Sequence, residues 1–73
     1  MTRPLLKELG NRIRTERKSQ GLSQEELAHR ADLDRSYLGG IERGERNITF
    51  TALCQVAKAL KKDVAAFTAG LPR

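Results

Sequence analysis

Apolar residues recur at three- and four-residue spacing along most of the chain: Leu6, Leu9 and Ile13; Leu27, Ala28 and Ala31; Leu38 and Ile41; and Leu53, Val56, Ala57 and Leu60. At ~100° per residue, each group lies on one side of a helix. No segment alternates apolar and polar positions over a strand's length, and Pro occurs only at Pro4 and Pro72, near the ends of the sequence. The pattern predicts an all-α chain with no repeat, linker or low-complexity stretch.

Helix starts carry a recurring motif of an apolar residue, a capping residue, an interval and then Leu: Leu22-Ser23…Leu27, Leu33-Asp34…Leu38 and Ile48-Thr49…Leu53. Ser, Asp and Thr side chains accept a hydrogen bond from an orphan amide of the first turn, worth about 1 kcal/mol, and the flanking apolar pair staples the entering chain. Glu26 after Ser23 completes a capping box. Gly21 and Gly44 are expected to end the first and third helices, and Asp63 to cap a short last one. The predicted helices cover 4–20, 24–31, 35–43, 50–60 and 64–69. Only Asp32, Leu33 and Asp34 separate the second from the third. So short a link, with an apolar residue at its centre, forces a steep crossing, the helix-turn-helix arrangement, over about 23–43. The expected architecture is a compact five-helix bundle, one domain over 1–73 with its core within about 10–67.

At 73 residues such a domain buries roughly 60% of its unfolded surface and is marginal, so a partner subunit would help it. Cys54 is the single cysteine, and no Cys/His cluster has zinc spacing, so neither disulfide nor metal is expected, nor any cofactor. With no signal-peptide stretch and no apolar run of ~18 residues, a cytoplasmic setting is the expectation. Lys and Arg number 14 against 9 Asp and Glu, a net charge of +5, which makes polyanions the first partners to consider. Tyr37, Phe50 and Phe67 are too scattered to stack single-stranded bases. Duplex DNA is the better fit.

On the third helix, Leu38 and Ile41 share a face with Asp34, while Ser36, Gly39, Gly40 and Arg43 lie opposite. Glycines inside a helix cost about 1 kcal/mol each relative to Ala, so a small domain needs a reason to keep two. One reason is close approach: a bare face lets the helix settle into a groove while Arg35 and Ser36 at its start reach base edges. The other is that Gly39 and Gly40 make room for the first helix. Arg35 is the strongest candidate for reading sequence, because a guanidinium donates two bonds to guanine O6 and N7, about 1–3 kcal/mol of discrimination. As a mere surface charge it would oppose the helix dipole. Tyr37 either sets its ring against sugar or a thymine methyl or belongs to the core. Arg43, Arg46 and Asn47 in the following loop, and Gln24 in the first turn of the second helix, are candidate phosphate ligands. Arg12, Arg14, Arg17 and Lys18 read as a second basic patch or as a solvated helix face.

The stretches Gly21-Leu22-Ser23-Gln24-Glu25-Glu26-Leu27-Ala28, Leu33…Ser36-Tyr37-Leu38, Ile41-Glu42-Arg43-Gly44 and Leu53…Val56-Ala57-Lys58-Ala59-Leu60 resemble the Cro/XRE helix-turn-helix family. Residues 33–49 are similar to the controller proteins of restriction-modification systems. The resemblance implies a five-helix DNA-binding domain, a homodimer joined through its C-terminal helices, and the third helix in the major groove of each half-site. It assigns base contacts to Arg35 and Ser36 with Tyr37 nearby, and phosphate contacts to Gln24, Arg43, Arg46 and Asn47. It also pairs Arg17 with Glu42 as a structural ion pair. Asp32 stands where the family usually has Gly, and Gly40 where phage-type members place a polar base-reading side chain. Mid-helix readout is therefore expected to be reduced, with specificity depending on Arg35 and on DNA shape.

The favoured function is a dimeric, sequence-specific transcription regulator on a near-palindromic operator, with Leu60, Val64, Phe67 and Leu71 around the dimer interface and surface acids such as Glu25 available to RNA polymerase. The alternative is the DNA-binding antitoxin of a toxin-antitoxin pair, against which stands the short remainder 69–73. An enzyme is the weakest reading. His29 has no inferable partner, and Cys54 lies near an apolar helix face.

Overall fold

The computed structural model describes residues 2–72. Its helices are α1 (Thr2–Ser19), α2 (Gln24–Ala31), α3 (Arg35–Glu42), α4 (Phe50–Ala59) and α5 (Ala65–Thr68). α1 begins at Thr2, before the predicted start at 4, because Pro4 sits in its first turn, where a missing N–H removes no helical bond.

The caps explain where the chain turns. Ser23 Oγ accepts from Glu26 N–H at 3.0 Å, and the Ser23 N–H donates back to Glu26 Oε1 at 2.9 Å. Asp34 receives the Ser36 and Tyr37 N–H groups at 3.0 and 3.2 Å, and Thr49 Oγ1 receives that of Ala52 at 3.0 Å. The helix C-termini close by one device: a residue at positive φ, followed by an N–H that reaches back to an earlier carbonyl. Asp32 (φ 58°) precedes Leu33 N–H to Ala28 O at 2.9 Å, and Gly44 (φ 76°) precedes Glu45 N–H to Gly40 O at 2.9 Å. Lys61 (φ 58°) precedes Lys62 N–H to Ala57 O at 2.9 Å, at a position the sequence did not mark. Asp63 does not cap α5 with its side chain. Val64 is already helical, and the carbonyls of Asp63 and Val64 accept from Ala66 and Phe67 instead, so a single-turn helix meets its donors with backbone alone.

Ile13, Leu27, Leu38, Ile41, Val56, Leu60 and Phe67 form the fully buried centre, with the stapling residues Leu33 and Ile48 packed at its edge. α1 packs on α3 and α5, and α2 on α3 and α4. The α1–α3 crossing depends on Gly10. A Cβ there would stand 2.2 Å from the Ile41 carbonyl oxygen and 2.7 Å from that of Glu42. One crossing point further, Gly44 lies against the backbone of Lys7. It is therefore Gly10 and Gly44, rather than Gly39 and Gly40, that make room for the first helix.

Polar side chains tie the ends together. Arg12 holds Glu8 at 2.9 Å and donates to the Ala69 carbonyl at 2.7 Å, fastening the end of α5 to α1. Gln20 donates to the Leu60 carbonyl and Gln55 to that of Ala31. No described helix is long and apolar enough to cross a membrane.

Candidate nucleic-acid interface

The turn Asp32-Leu33-Asp34 delivers α3 with Leu38 and Ile41 facing the core and its N-terminal turn facing solvent. Arg35 is exposed and forms no hydrogen bond or ion pair with the described residues, leaving its guanidinium donors free. Ser36 beside it is exposed, and its hydroxyl donates to the Asp34 carboxylate. Hydrogen bonds from the Ser36 hydroxyl, then from the Tyr37 N–H, aided by the Arg46 charge, hold the Asp34 carboxyl below its usual range. Tyr37 is half-buried: its ring packs on the core edge and its hydroxyl accepts from the Thr49 N–H at 3.4 Å, tying α3 to the start of α4.

A buried polar joint fixes this element on the rest of the fold. Arg17 Nε and Nη2 donate to the two carboxylate oxygens of Glu42 at 2.7 and 3.0 Å, and Arg17 Nη1 donates to the Leu22 carbonyl at 2.7 Å. Gln24 Nε2 donates to Glu42 Oε1 at 2.9 Å, so α1, α2 and α3 meet on one carboxylate. The pair is almost dry, with side chains 8% and 2% exposed, and every buried polar side-chain atom among the described residues has a partner. Of the basic run in α1, Arg12 and Arg17 are thus occupied in structure, while Arg14 and Lys18 remain solvated.

Gly39 and Gly40 are covered, but by flexible cations rather than by the core. Arg43 Nη1 lies 3.1 Å and Gln24 Oε1 3.6 Å from where a Gly39 Cβ would be, and the Arg46 stem covers Gly40. Arg43, Arg46 and Asn47 are exposed around this face, with Arg43 Nε 3.0 Å from Glu45 Oε1. The structure therefore brings Gln24, Arg35, Ser36, Tyr37, Arg43 and Arg46 onto α3 or its immediate surroundings, with Asn47 in the adjoining loop.

The residues expected at a dimer interface divide. Leu60 and Phe67 are 0% and 1% exposed within the single chain, so they pack its own core and have no surface to share. Val64 and Leu71 are half-buried and keep part of theirs. The sequence reading missed Phe50, which is 71% exposed at the start of α4. Its place immediately after the Thr49 cap, off the Leu53 and Val56 stripe, was the available signal. It also missed the arrangement of Arg46 across Gly40, for which sequence spacing carries no signal because loop and helix meet only in the fold. His29 is exposed and Cys54 half-buried. A surface cleft of about 350 Å³ between α2 and α4 is lined by Arg30, Asp32, Gln55 and Lys58 and by no residue of α3.

A short tight turn, a stapled second helix and a solvent-facing arginine at its head define a helix-turn-helix protein. The helix-turn-helix family model matches residues 13–67, and the chain belongs to that family. Among its relatives, control protein C.SmaI of Serratia marcescens is 45% identical over 56 residues, covering 77% of this chain and 67% of that one. The restriction-modification controller protein C.AhdI of Aeromonas hydrophila superposes with a TM-score of 0.84 at 44% identity, covering 85% of this chain and 94% of that one. C.Esp1396I, described as bound to a 19 base pair DNA duplex, matches with a TM-score of 0.80 at 38% identity, covering 86% and 84% of the two chains.

Proposed function

We propose that the chain is a sequence-specific regulator of transcription, a controller protein of a restriction-modification system, that binds duplex DNA as a homodimer in the cytoplasm. Each protomer lays α3 in the major groove of one half of a near-palindromic operator, with half-site centres about one helical turn apart or a multiple of it. The observation that carries this reading is Arg35, exposed and unpaired with the described residues at the head of a helix whose other side is locked into the core. A guanidinium so placed meets guanine O6 and N7 without first breaking an internal bond. The Ser36 hydroxyl and the Tyr37 ring edge stand beside it.

Gln24, Arg43, Arg46 and Asn47 flank α3 and take phosphates, fixing register without reading sequence. Gln24 keeps one amide hydrogen beyond its bond to Glu42 and stands at the positive end of α2. Val64 and Leu71 contribute the dimer contact, and exposed acids such as Glu25 offer RNA polymerase a polar contact.

Binding-site selection on random duplex DNA, with Arg35→Ala and Arg43→Ala alongside the wild type, tests the assignment. Arg35→Ala should relax base preference at particular positions. Arg43→Ala should weaken all sequences alike and lower the slope of log K against log salt by about 1. Equal, sequence-blind losses from both would refute the roles given.

A further inference from the structure

The solvent side of α1 carries cations that the fold does not use. At ~100° per residue, Arg3, Lys7, Arg14 and Lys18 fall within about 60° of one another around the helix. All four are exposed, and none forms a hydrogen bond or ion pair with the described residues. None has an acid three or four positions away, where a helix would pair it. The acids of α1 lie off the stripe and are occupied: Glu8 holds Arg12 at 2.9 Å, and Glu16 accepts from Gln20 Nε2 at 2.8 Å. Arg3 with Lys7 and Arg14 with Lys18 are like-charge pairs four residues apart, each costing about 0.2–0.5 kcal/mol, and Arg3 opposes the dipole in a first turn that has no acid. A face kept only for solubility interleaves both signs, as α2 does with Glu25, Glu26 and Arg30. The four cations of the stripe instead carry most of the net charge of +5.

The stripe continues into the loop after α3. A Cβ on Gly44 would stand 2.7 Å from the Lys7 Cα, so the chain that leads into Glu45, Arg46 and Asn47 starts against the stripe. From Arg3 to Lys18 the stripe runs about 22 Å, the axial length of about six base pairs. We propose that it is a second phosphate track: Lys7, Arg14 and Lys18, with Arg3 at the end, take backbone phosphates of the same duplex that α3 enters, beyond those held by the loop. The proposal rests on the DNA-binding reading above and adds α1 to the contact surface. Duplex backbone is the occupant because a regular row of cations matches a regular row of anions, and release of condensed counterions offsets the like-charge cost along the helix. Continuity through Gly44 assigns the track to the same duplex rather than to a second one. Contacts of this kind position the protein and carry no sequence information.

The test compares wild type with Lys7→Gln/Arg14→Gln/Lys18→Gln on a duplex enriched from a random-sequence pool by the wild-type protein. Three phosphate contacts at ~0.9 each should lower the slope of log K against log salt by about 2.7, so the wild-type advantage should shrink roughly 40-fold between about 50 and 200 mM salt. Phosphate ethylation interference should vanish at a set of backbone positions in each half-site that Arg43→Ala leaves sensitive, with base preference unchanged. The control Lys58→Gln/Lys61→Gln/Lys62→Gln removes the same charge from the end of α4 and should keep the wild-type ethylation pattern. Gln is a good helix former and ends the like-charge repulsion, so the stripe variant should melt at or above the wild-type temperature. A stripe variant with the wild-type slope and ethylation pattern, or one that matches the control, overturns the proposal. So does a loss confined to complexes that hold two duplexes per dimer. In each of these cases Arg35→Ala still relaxes base preference and the DNA-binding reading stands, whereas a wild-type protein that enriches no sequence overturns both.

Discussion

Replacing Glu42 by Ala should be among the most damaging single changes in the chain. The carboxylate accepts from Arg17 at 2.7 and 3.0 Å and from Gln24 at 2.9 Å, with its side chain 2% exposed. A buried pair adds little net stability relative to apolar residues of the same shape, because both charges lost their hydration. Removing one partner is different: it strands the other charge, and the expected cost is about 3–5 kcal/mol. Here the Arg17 guanidinium would keep only the Leu22 carbonyl. A domain of 73 residues has on the order of 4–11 kcal/mol in total, so the loss takes about a quarter or more of it. At roughly 4–8 °C per kcal/mol, the melting temperature should fall by roughly 10–40 °C. Urea denaturation followed by circular dichroism measures the free energy directly, with the Arg17→Met/Glu42→Leu protein as control. Removing both charges together should recover most of the loss. A Glu42→Ala protein within about 1 kcal/mol of wild type, or a double variant no better than the single, would refute the claim that a stranded buried charge dominates.

Other consequences are checked by similar means. Gly10→Ala gains helix propensity of about 1 kcal/mol but drives a methyl to 2.2 Å from the Ile41 carbonyl oxygen, in backbone that cannot turn aside, so its melting temperature should fall; a rise would contradict the α1–α3 close approach. Lys61→Gly relieves a left-handed residue at the end of α4 and should stabilise the protein by up to about 1 kcal/mol in the same melt, whereas a loss would show that Lys61 is not strained. Asp34 and Glu26 both have lowered folded pKa values. Glu26 owes its shift chiefly to the Ser23 N–H, then to the Ser23 hydroxyl. Carboxyls depressed on folding stabilise above their unfolded values near 4 and lose that contribution as pH falls through the lower folded ones. Melting temperature should therefore be insensitive to these groups above pH about 5 and drop in acid, and Asp34→Asn should flatten part of that drop.

Most of the fold was legible because its signals are local. Ser23, Asp34 and Thr49 each sit between an apolar residue and a helix, and each makes its cap bond in the structure. Asp32 takes the left-handed turn in place of Gly because a short polar side chain tolerates that conformation better than most. What stayed hidden depends on tertiary approach. Gly10 looks like any glycine in a helix until the Ile41 carbonyl is set against it. Leu60 and Phe67 have the composition of an interface or of a core, and only the docking of α5 on α1 assigns them to the core. The Arg35 side of α3 was readable from one helix's periodicity, whereas the Arg46 crossing joins residues whose sequence separation carries no period.

The reading of α3 as the element that enters the major groove is tested most directly by methylation interference on a duplex selected by the wild-type protein. Methyl groups on guanine N7 protrude into the major groove, and those on adenine N3 into the minor groove. Binding should be blocked by N7 methylation of particular guanines placed symmetrically in the two half-sites, and Arg35→Ala should lose sensitivity at those guanines alone. Interference confined to adenine N3, or a guanine pattern unchanged by Arg35→Ala, would contradict it.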